Sequence, residues 1–262
     1  MAYGLLICFW LLALKGLPQR QNNIRLTYII FSVFVLNAPQ KEASFPKIPM
    51  THTCSLAIVT TLLLSAAVKS QPAEPAHVAD LKVLFIGNGH TYVNDMPALF
   101  AEAARRDNFR CDVVMCTGSG WHLAQHVKEP DTKFNILHGH YDYVVLQEYT
   151  HPFGPEQSMH EAVAKISEWI KAAGSTPVMY MTWAKKGHPE QQAELTNAYT
   201  SCAKEINALL APVGVEWWKL LAENPDLDLY RSDGEHASLR GSTLAATIIW
   251  KTIKQDYLAK KK

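Results

Sequence analysis

From Leu81 onward, short apolar runs alternate with longer stretches in which apolar residues recur at helical spacing. The first run, LKVLFIG, ends in glycine and is typical of a strand that is buried on both faces. Further strands are predicted at 111–116, 141–147, 177–183 and 213–218. Helices are predicted at 94–106, near 123–127, and at 156–173, 190–210 and 239–257. This alternation predicts an α/β fold, a three-layer α/β/α sandwich around a parallel sheet of about five strands.

Glycine-rich and polar segments follow the predicted strands. They read GNGHTY (87–92), GSGWHL (118–123) and QE (147–148), and the loop before the last helix reads DGEHAS (233–238). Ligands of parallel sheets bind beyond the carboxyl ends of the strands, so these segments are expected to surround a site. Asp233 and His236 can share a hydrogen bond that leaves the other imidazole nitrogen free as a base.

The order and content of these segments are more specific than any one of them. Residues 85–100, 119–126, 141–148 and 233–246 resemble four blocks of the SGNH/GDSL hydrolase superfamily, in particular bacterial branches whose first block reads GNS-x-T. The resemblance covers roughly residues 81–250. It implies an SGNH hydrolase-like fold and an esterase that acts on an acyl or acetyl ester of a carbohydrate or small lipid.

The resemblance also implies a catalytic triad. The last block supplies His236 as the base and Asp233 as the residue that orients it, while a serine at the end of the first strand attacks the ester. In this chain the serine position is Gly89. Because glycine has no side chain, Gly89 cannot form an acyl-enzyme.

The same resemblance implies an oxyanion hole with three donors. These are the backbone N–H of Gly89, the backbone N–H of Gly120 (less surely Gly118), and the side-chain amide of Gln147. Gln147 replaces the Asn that is usual in the family and is one methylene longer.

Other hydroxyl groups are poor substitutes for the missing nucleophile. Thr91 lies two positions beyond the nucleophile position. A hydrogen bond within a turn explains the hydroxyl of Ser119, and N-capping of the last helix explains the hydroxyl of Ser238. A different solution needs no side chain, because removal of the serine leaves space for about one water that His236 could activate.

Three interpretations therefore remain open. The chain is an ester hydrolase with impaired or altered catalysis, a catalytically silent protein that binds a carbohydrate or acyl ligand, or an active enzyme that carries a single substitution at Gly89, whether natural or engineered. No cofactor is predicted. No metal site is predicted either, because the scattered histidines lack a carboxylate or cysteine at metal-ligand spacing. These histidines are interpreted as surface residues, namely His90, His122, His126, His138 and His140. The expected partner is a small-molecule ester or carbohydrate.

The first 75 residues differ from the rest of the chain. Residues 50–75 resemble a signal peptide followed by a polar linker, and residues 1–49 are either an over-extended start or a membrane-associated segment. We expect residues 76–262 to form the SGNH hydrolase-like domain. The protein is then exported, to the periplasm or the medium, or anchored in a membrane by its N-terminal segment. The chain has a net charge of +1, but residues 73–262 hold 19 Lys and Arg against 23 Asp and Glu, a balance of −4. This balance argues against nucleic acid as a partner.

Overall fold

The computed structural model describes residues 79–262, so the segments 1–49 and 50–75 lie outside the described residues. A single parallel sheet contains five strands in the order β2-β1-β3-β4-β5. Their bounds are Leu81–Gly87 (β1), Cys111–Thr117 (β2), Tyr143–Leu146 (β3), Thr176–Tyr180 (β4) and Leu209–Ala211 (β5). The continuously apolar strands lie in the middle of the sheet, as predicted for a sheet covered on both faces.

Helices cover both faces of the sheet. They are α1 (Gly89–Tyr92), α2 (Met96–Arg106), α3 (Leu123–His126), α4 (Pro130–His138), α5 (Glu156–Ala172), α6 (Gln192–Ile206), α7 (Val213–Glu223) and α8 (Leu239–Lys260). Short 3-10 turns lie at Val93–Asp95 and Pro189–Gln191. Within residues 79–262, no helix has both the length and the apolar character needed to cross a membrane.

Alternate residues of each strand enter two separate cores. Phe85 packs with side chains of α2, α7 and α8, whereas its neighbours Leu84 and Ile86 pack with side chains of α3 to α6. The period of two along a strand produces this division, because successive side chains point to opposite faces. The predicted three-layer α/β/α sandwich is therefore confirmed.

The prediction for the last strand was wrong. Residues 213–218 belong to α7, and the three-residue strand β5 overlaps the last two residues of the helix predicted at 190–210. Asn207 adopts the left-handed conformation (φ 55°) and ends α6, which frees the next residues to pair with β4. In α7, Val213 and Trp217 are both fully buried, and this spacing of four is helical rather than the alternation of a strand.

The strand register brings three loops to one edge. Gly87 at the end of β1 pairs with Thr117 at the end of β2, and Ile86 pairs with Leu146 at the end of β3. Because the strands are parallel, the segments after all three begin side by side.

Candidate active site

The turn after β1 presents the backbone of Gly89. Asn88 caps the short helix α1, since its side-chain oxygen accepts a hydrogen bond from His90 N at 3.1 Å. Gly89 is the first residue of α1, so its N–H has no acceptor within the helix. This backbone donor is available to a ligand at the turn.

Asp233 and His236 form the expected pair. Asp233 Oδ2 lies 2.9 Å from His236 Nδ1, and Asp233 Oδ1 accepts the backbone N–H groups of Glu235 and His236, each at 2.9 Å. Partial burial by itself raises the pKa of Asp233, but these hydrogen bonds outweigh it and lower the pKa to about 2. The carboxylate is therefore ionised at neutral pH and orients the imidazole.

The free nitrogen of His236 faces Gly89. A Cβ atom added to Gly89 would lie 2.5 Å from His236 Nε2 and 3.0 Å from Cδ2. The structure thus brings Gly89, Asp233 and His236 together. The imidazole occupies the place where a side chain would begin, so a water beside Gly89 requires the ring to move, contrary to the expected open space.

The loop after β2 distinguishes the two candidate oxyanion glycines. Gly118 N donates to Gly87 O at 3.2 Å, and the Trp121 ring packs where a Cβ of Gly118 would be. Gly120 is exposed and has a positive φ of 68°. Asn88 Nδ2 donates to Trp121 O at 2.9 Å and ties this loop to the turn after β1. Among the described residues, the Gly118 N–H is therefore used within the fold, whereas Gly120 N has no such acceptor.

Gln147 has a structural contact in place of the expected ligand contact. Its Oε1 accepts hydrogen bonds from Asn88 N and Thr91 Oγ1, each at 2.9 Å, and its Nε2 donates to Glu148 O. The side chain is fully buried, and the missing Cβ of Gly87 makes room for it. Gln147 thus holds the turn in shape, and its amide is not exposed to a ligand.

Of the hydroxyls near the turn, that of Ser238 has the helix-capping contact expected from the sequence. Thr91 is fully buried against Gln147. Ser238 caps α8, accepting from Gly241 N at 3.1 Å and donating to Asp228 O at 2.8 Å. Ser119 is exposed.

Comparison with known proteins adds evidence from solved structures. No protein-family model and no curated protein matches the chain. A protein from Slackia heliotrinireducens, assigned to the SGNH hydrolases, is 30% identical with a TM-score of 0.59, and the match covers 98% of that protein and 66% of this chain. This chain belongs to the SGNH hydrolase superfamily.

More distant structures share the SGNH hydrolase fold. The acetyl xylan esterase AlAXEase is 14% identical with a TM-score of 0.56, and the match covers all of that chain and 66% of this one. An acetyl-xylooligosaccharide esterase from Geobacillus Stearmophilus is also 14% identical, with a TM-score of 0.54 and coverage of 95% of that chain and 68% of this one.

Sequence reasoning missed a second imidazole–carboxylate pair in this SGNH hydrolase domain. Glu148 follows β3 and is buried, which raises the pKa of its carboxyl. It accepts from Leu123 N at 3.1 Å and Tyr149 N at 2.6 Å, and Oε1 lies 2.9 Å from His122 Nδ1. Glu148 therefore connects the loop that contains Gly120 to the end of β3. The only sequence signal was a carboxylate directly after a strand.

Two further histidines surround His236 in this SGNH hydrolase. The His90 ring centroid lies 5.2 Å from those of His236, His151 and Trp183. Burial lowers the pKa of His90 to about 3 and that of His151 to about 4, so both rings are neutral at pH 7. The sequence interpretation treated His90 and His126 as surface residues, but both are buried. Within residues 79–262, no group of side chains is arranged to hold a metal ion.

The aromatic residues near the strand ends divide between core and site. Trp183 and Trp217 are fully buried and stack with ring centroids 3.9 Å apart. Tyr149 is half-buried and lies against the His122 ring and beside Gly120.

A cleft of about 410 Å³ opens beside the loop that carries Asp233 and His236. Its walls come from the loops after β3 and β4, the start of α6, and the residue before His236. They are Thr150, His151, Pro152, Phe153, Lys185, Gln191, Glu194, Leu195 and Glu235.

Proposed function

We propose that this domain is an esterase-type hydrolase for an acyl or acetyl ester of a carbohydrate or small lipid, with catalysis impaired by the glycine at position 89. The observation that carries the proposal is the Asp233–His236 pair, whose free Nε2 faces the backbone of Gly89. A carboxylate-oriented imidazole at this place is the general base of a hydrolase.

Without a serine, the attacking group is water, which enters beside Gly89 when the His236 ring moves back. His236 Nε2 removes a proton from the water as its oxygen bonds to the ester carbonyl carbon, and the N–H groups of Gly89 and Gly120 face the resulting oxyanion. When the tetrahedral intermediate collapses, the C–O bond to the alcohol breaks and His236 returns the proton to the leaving oxygen. Sites that have lost one member of the triad keep roughly 10³–10⁴-fold catalysis over water.

The second candidate function is ligand binding without turnover. Two observations favour it: the His236 ring fills the position of the first side-chain atom at residue 89, and the Gln147 amide is buried. Under this interpretation, His236 hydrogen-bonds the ligand and no water is admitted.

The substitution Gly89→Ser distinguishes the two functions. The new Cβ requires His236 to retreat, and this movement is inexpensive because the ring ends a side chain that is 34% exposed. We expect wild-type protein not to react with a fluorophosphonate probe. Gly89→Ser should react, and should hydrolyse 4-nitrophenyl acetate at least about 10²-fold faster than wild type, because covalent catalysis is restored.

Gly89→Ala is the matched control, since it displaces His236 equally but adds no hydroxyl. It should neither react with the probe nor gain activity. Labelling of the wild type would show that another side chain is the nucleophile. No gain in a folded Gly89→Ser variant would favour the binding protein.

A further inference from the structure

The cleft beside His236 is bounded by segments that are tied to one another. Lys186 N donates to Gly234 O at 2.8 Å, and the buried Trp183 donates its Nε1 hydrogen to Glu235 O at 2.9 Å. The loop after β4 is thereby fixed to the loop that carries Asp233 and His236. The cleft is therefore positioned relative to the imidazole, so a ligand bound there lies next to the reacting centre.

One wall of the cleft carries charged groups. Lys185 Nζ lies 2.7 Å from Glu235 Oε1, and these side chains are 44% and 31% exposed. Glu194, on the first turn of α6, adds an exposed carboxylate. An alkyl chain laid over these groups would remove their water without replacing its hydrogen bonds, which is costly. This wall disfavours the acyl chain of a lipid.

Other residues that line the cleft are apolar. Pro152 and Phe153 follow β3, and the buried Leu195 lies on α6. Carboxylates that accept hydrogen bonds, combined with an aromatic ring, suit a ligand that has both hydroxyl groups and a C–H face. A neutral sugar has this character. The volume of about 410 Å³ lies within the range of sites for small molecules and far exceeds the needs of an acetyl group.

We propose that the cleft is a saccharide subsite, so that the ester presented to His236 is an acylated sugar. This inference rests on the proposed function and narrows its substrate class. Glu194 and Glu235 accept hydroxyl hydrogens, and Phe153 packs against the sugar ring. Lys185 holds the Glu235 carboxylate in place.

The test measures binding without turnover. Xylotriose, cellotriose, mannotriose and chitotriose, all neutral and without an ester at the reacting position, are titrated into the full chain by calorimetry, and hexanoyl glycerol serves as the lipid probe. We expect at least one trisaccharide to bind saturably. Glu194→Gln and Phe153→Ala should each weaken that binding about 5- to 10-fold, because each removes one side of the sugar contact. Glu161→Gln, on the exposed face of α5, is the matched control and should bind like wild type.

The proposal is overturned if no trisaccharide binds, if binding is unchanged in both cleft variants, or if hexanoyl glycerol binds and the cleft variants weaken its binding instead. Failure of the proposed function gives a different result. If Gly89→Ser hydrolyses 4-nitrophenyl acetate but no sugar binds, the proposed hydrolase activity is supported and the saccharide subsite is rejected. If a sugar binds in the cleft but Gly89→Ser gains no activity, the saccharide subsite is supported and the proposed hydrolase activity is rejected.

Discussion

The absence of a side chain at Gly89 determines how closely His236 approaches the backbone. With no side chain at position 89, the His236 ring reaches the backbone while Asp233 still holds its other nitrogen. The base and its orienting carboxylate therefore remain assembled without a nucleophile. Behind this pair lies His90, which contacts His236 but forms no side-chain hydrogen bond through Nε2.

We predict that His90 makes the stability of the domain dependent on pH. Its pKa is 6.5 in the unfolded chain and about 3 in the folded protein, so the unfolded state binds the extra proton between these values. The stabilisation is complete above pH 6.5 and is lost as the pH falls toward 3. Between pH 7.5 and pH 5 the loss from His90 is about 2 kcal/mol.

Urea unfolding at these two pH values measures the effect in wild type and in His90→Gln. The difference between the two pH values should be about 2 kcal/mol smaller in the variant, whatever the variant's absolute stability. His151, His236 and Asp233 face His90 and are present in both proteins, so the comparison isolates the contribution of His90. His138→Gln, which changes an exposed histidine, is the control variant. An equal pH dependence of stability in wild type and His90→Gln would contradict the prediction.

The segment after α6 shows how packing selects secondary structure. The run 213–218 is apolar enough for a strand, but α7 places Val213 and Trp217 in one core. Gly214 allows this helix to approach the segment after β4 closely, since a Cβ there would meet the backbone carbonyl of Thr182. Glu148 likewise positions an element, because its hydrogen bonds hold the loop that contains Gly120 against the end of β3.

Gly214→Ala should destabilise the domain by about 2 kcal/mol, because a backbone oxygen cannot move aside as a flexible side chain can. Val215→Ala changes the next residue of α7, which is 40% exposed, and should alter stability by less than about 0.5 kcal/mol. Thermal and urea unfolding of both variants tests this. Equal stability of Gly214→Ala and wild type would show that α7 lies farther from Thr182.

The candidate active site is assembled from distant parts of the chain. Gly89 and His236 come from distant segments of the chain, and they meet because α8 packs back against α2, which follows the turn after β1. The loop that contains Gly120 joins this turn through the hydrogen bond from Asn88 Nδ2 to Trp121 O, because β1 and β2 end at the same edge. The saccharide cleft uses the remaining loops at this edge, together with the start of α6.

We also predict that the protein is exported and that its mature form begins near residue 72. The prediction rests on the apolar run 56–68 and the Pro-rich stretch after it. N-terminal sequencing of protein recovered outside the cytoplasm tests it, with protein retained in the cell as the control. A mature N-terminus upstream of Met50 would contradict the prediction and favour a membrane-associated segment.

The sequence alone predicted the fold class, through apolar periodicity. Its four blocks resemble those of the superfamily, and this resemblance, together with the spacing of three in one loop, indicated the pairing of Asp233 with His236. Only the tertiary structure decided that residues 213–218 form a helix, that Gln147 is buried, that Gly120 rather than Gly118 has an available N–H, and that His90 lies under His236. The reason is physical: burial and hydrogen-bond partners depend on neighbours far along the chain, and a short apolar run satisfies a strand and a helix equally until those neighbours are in place.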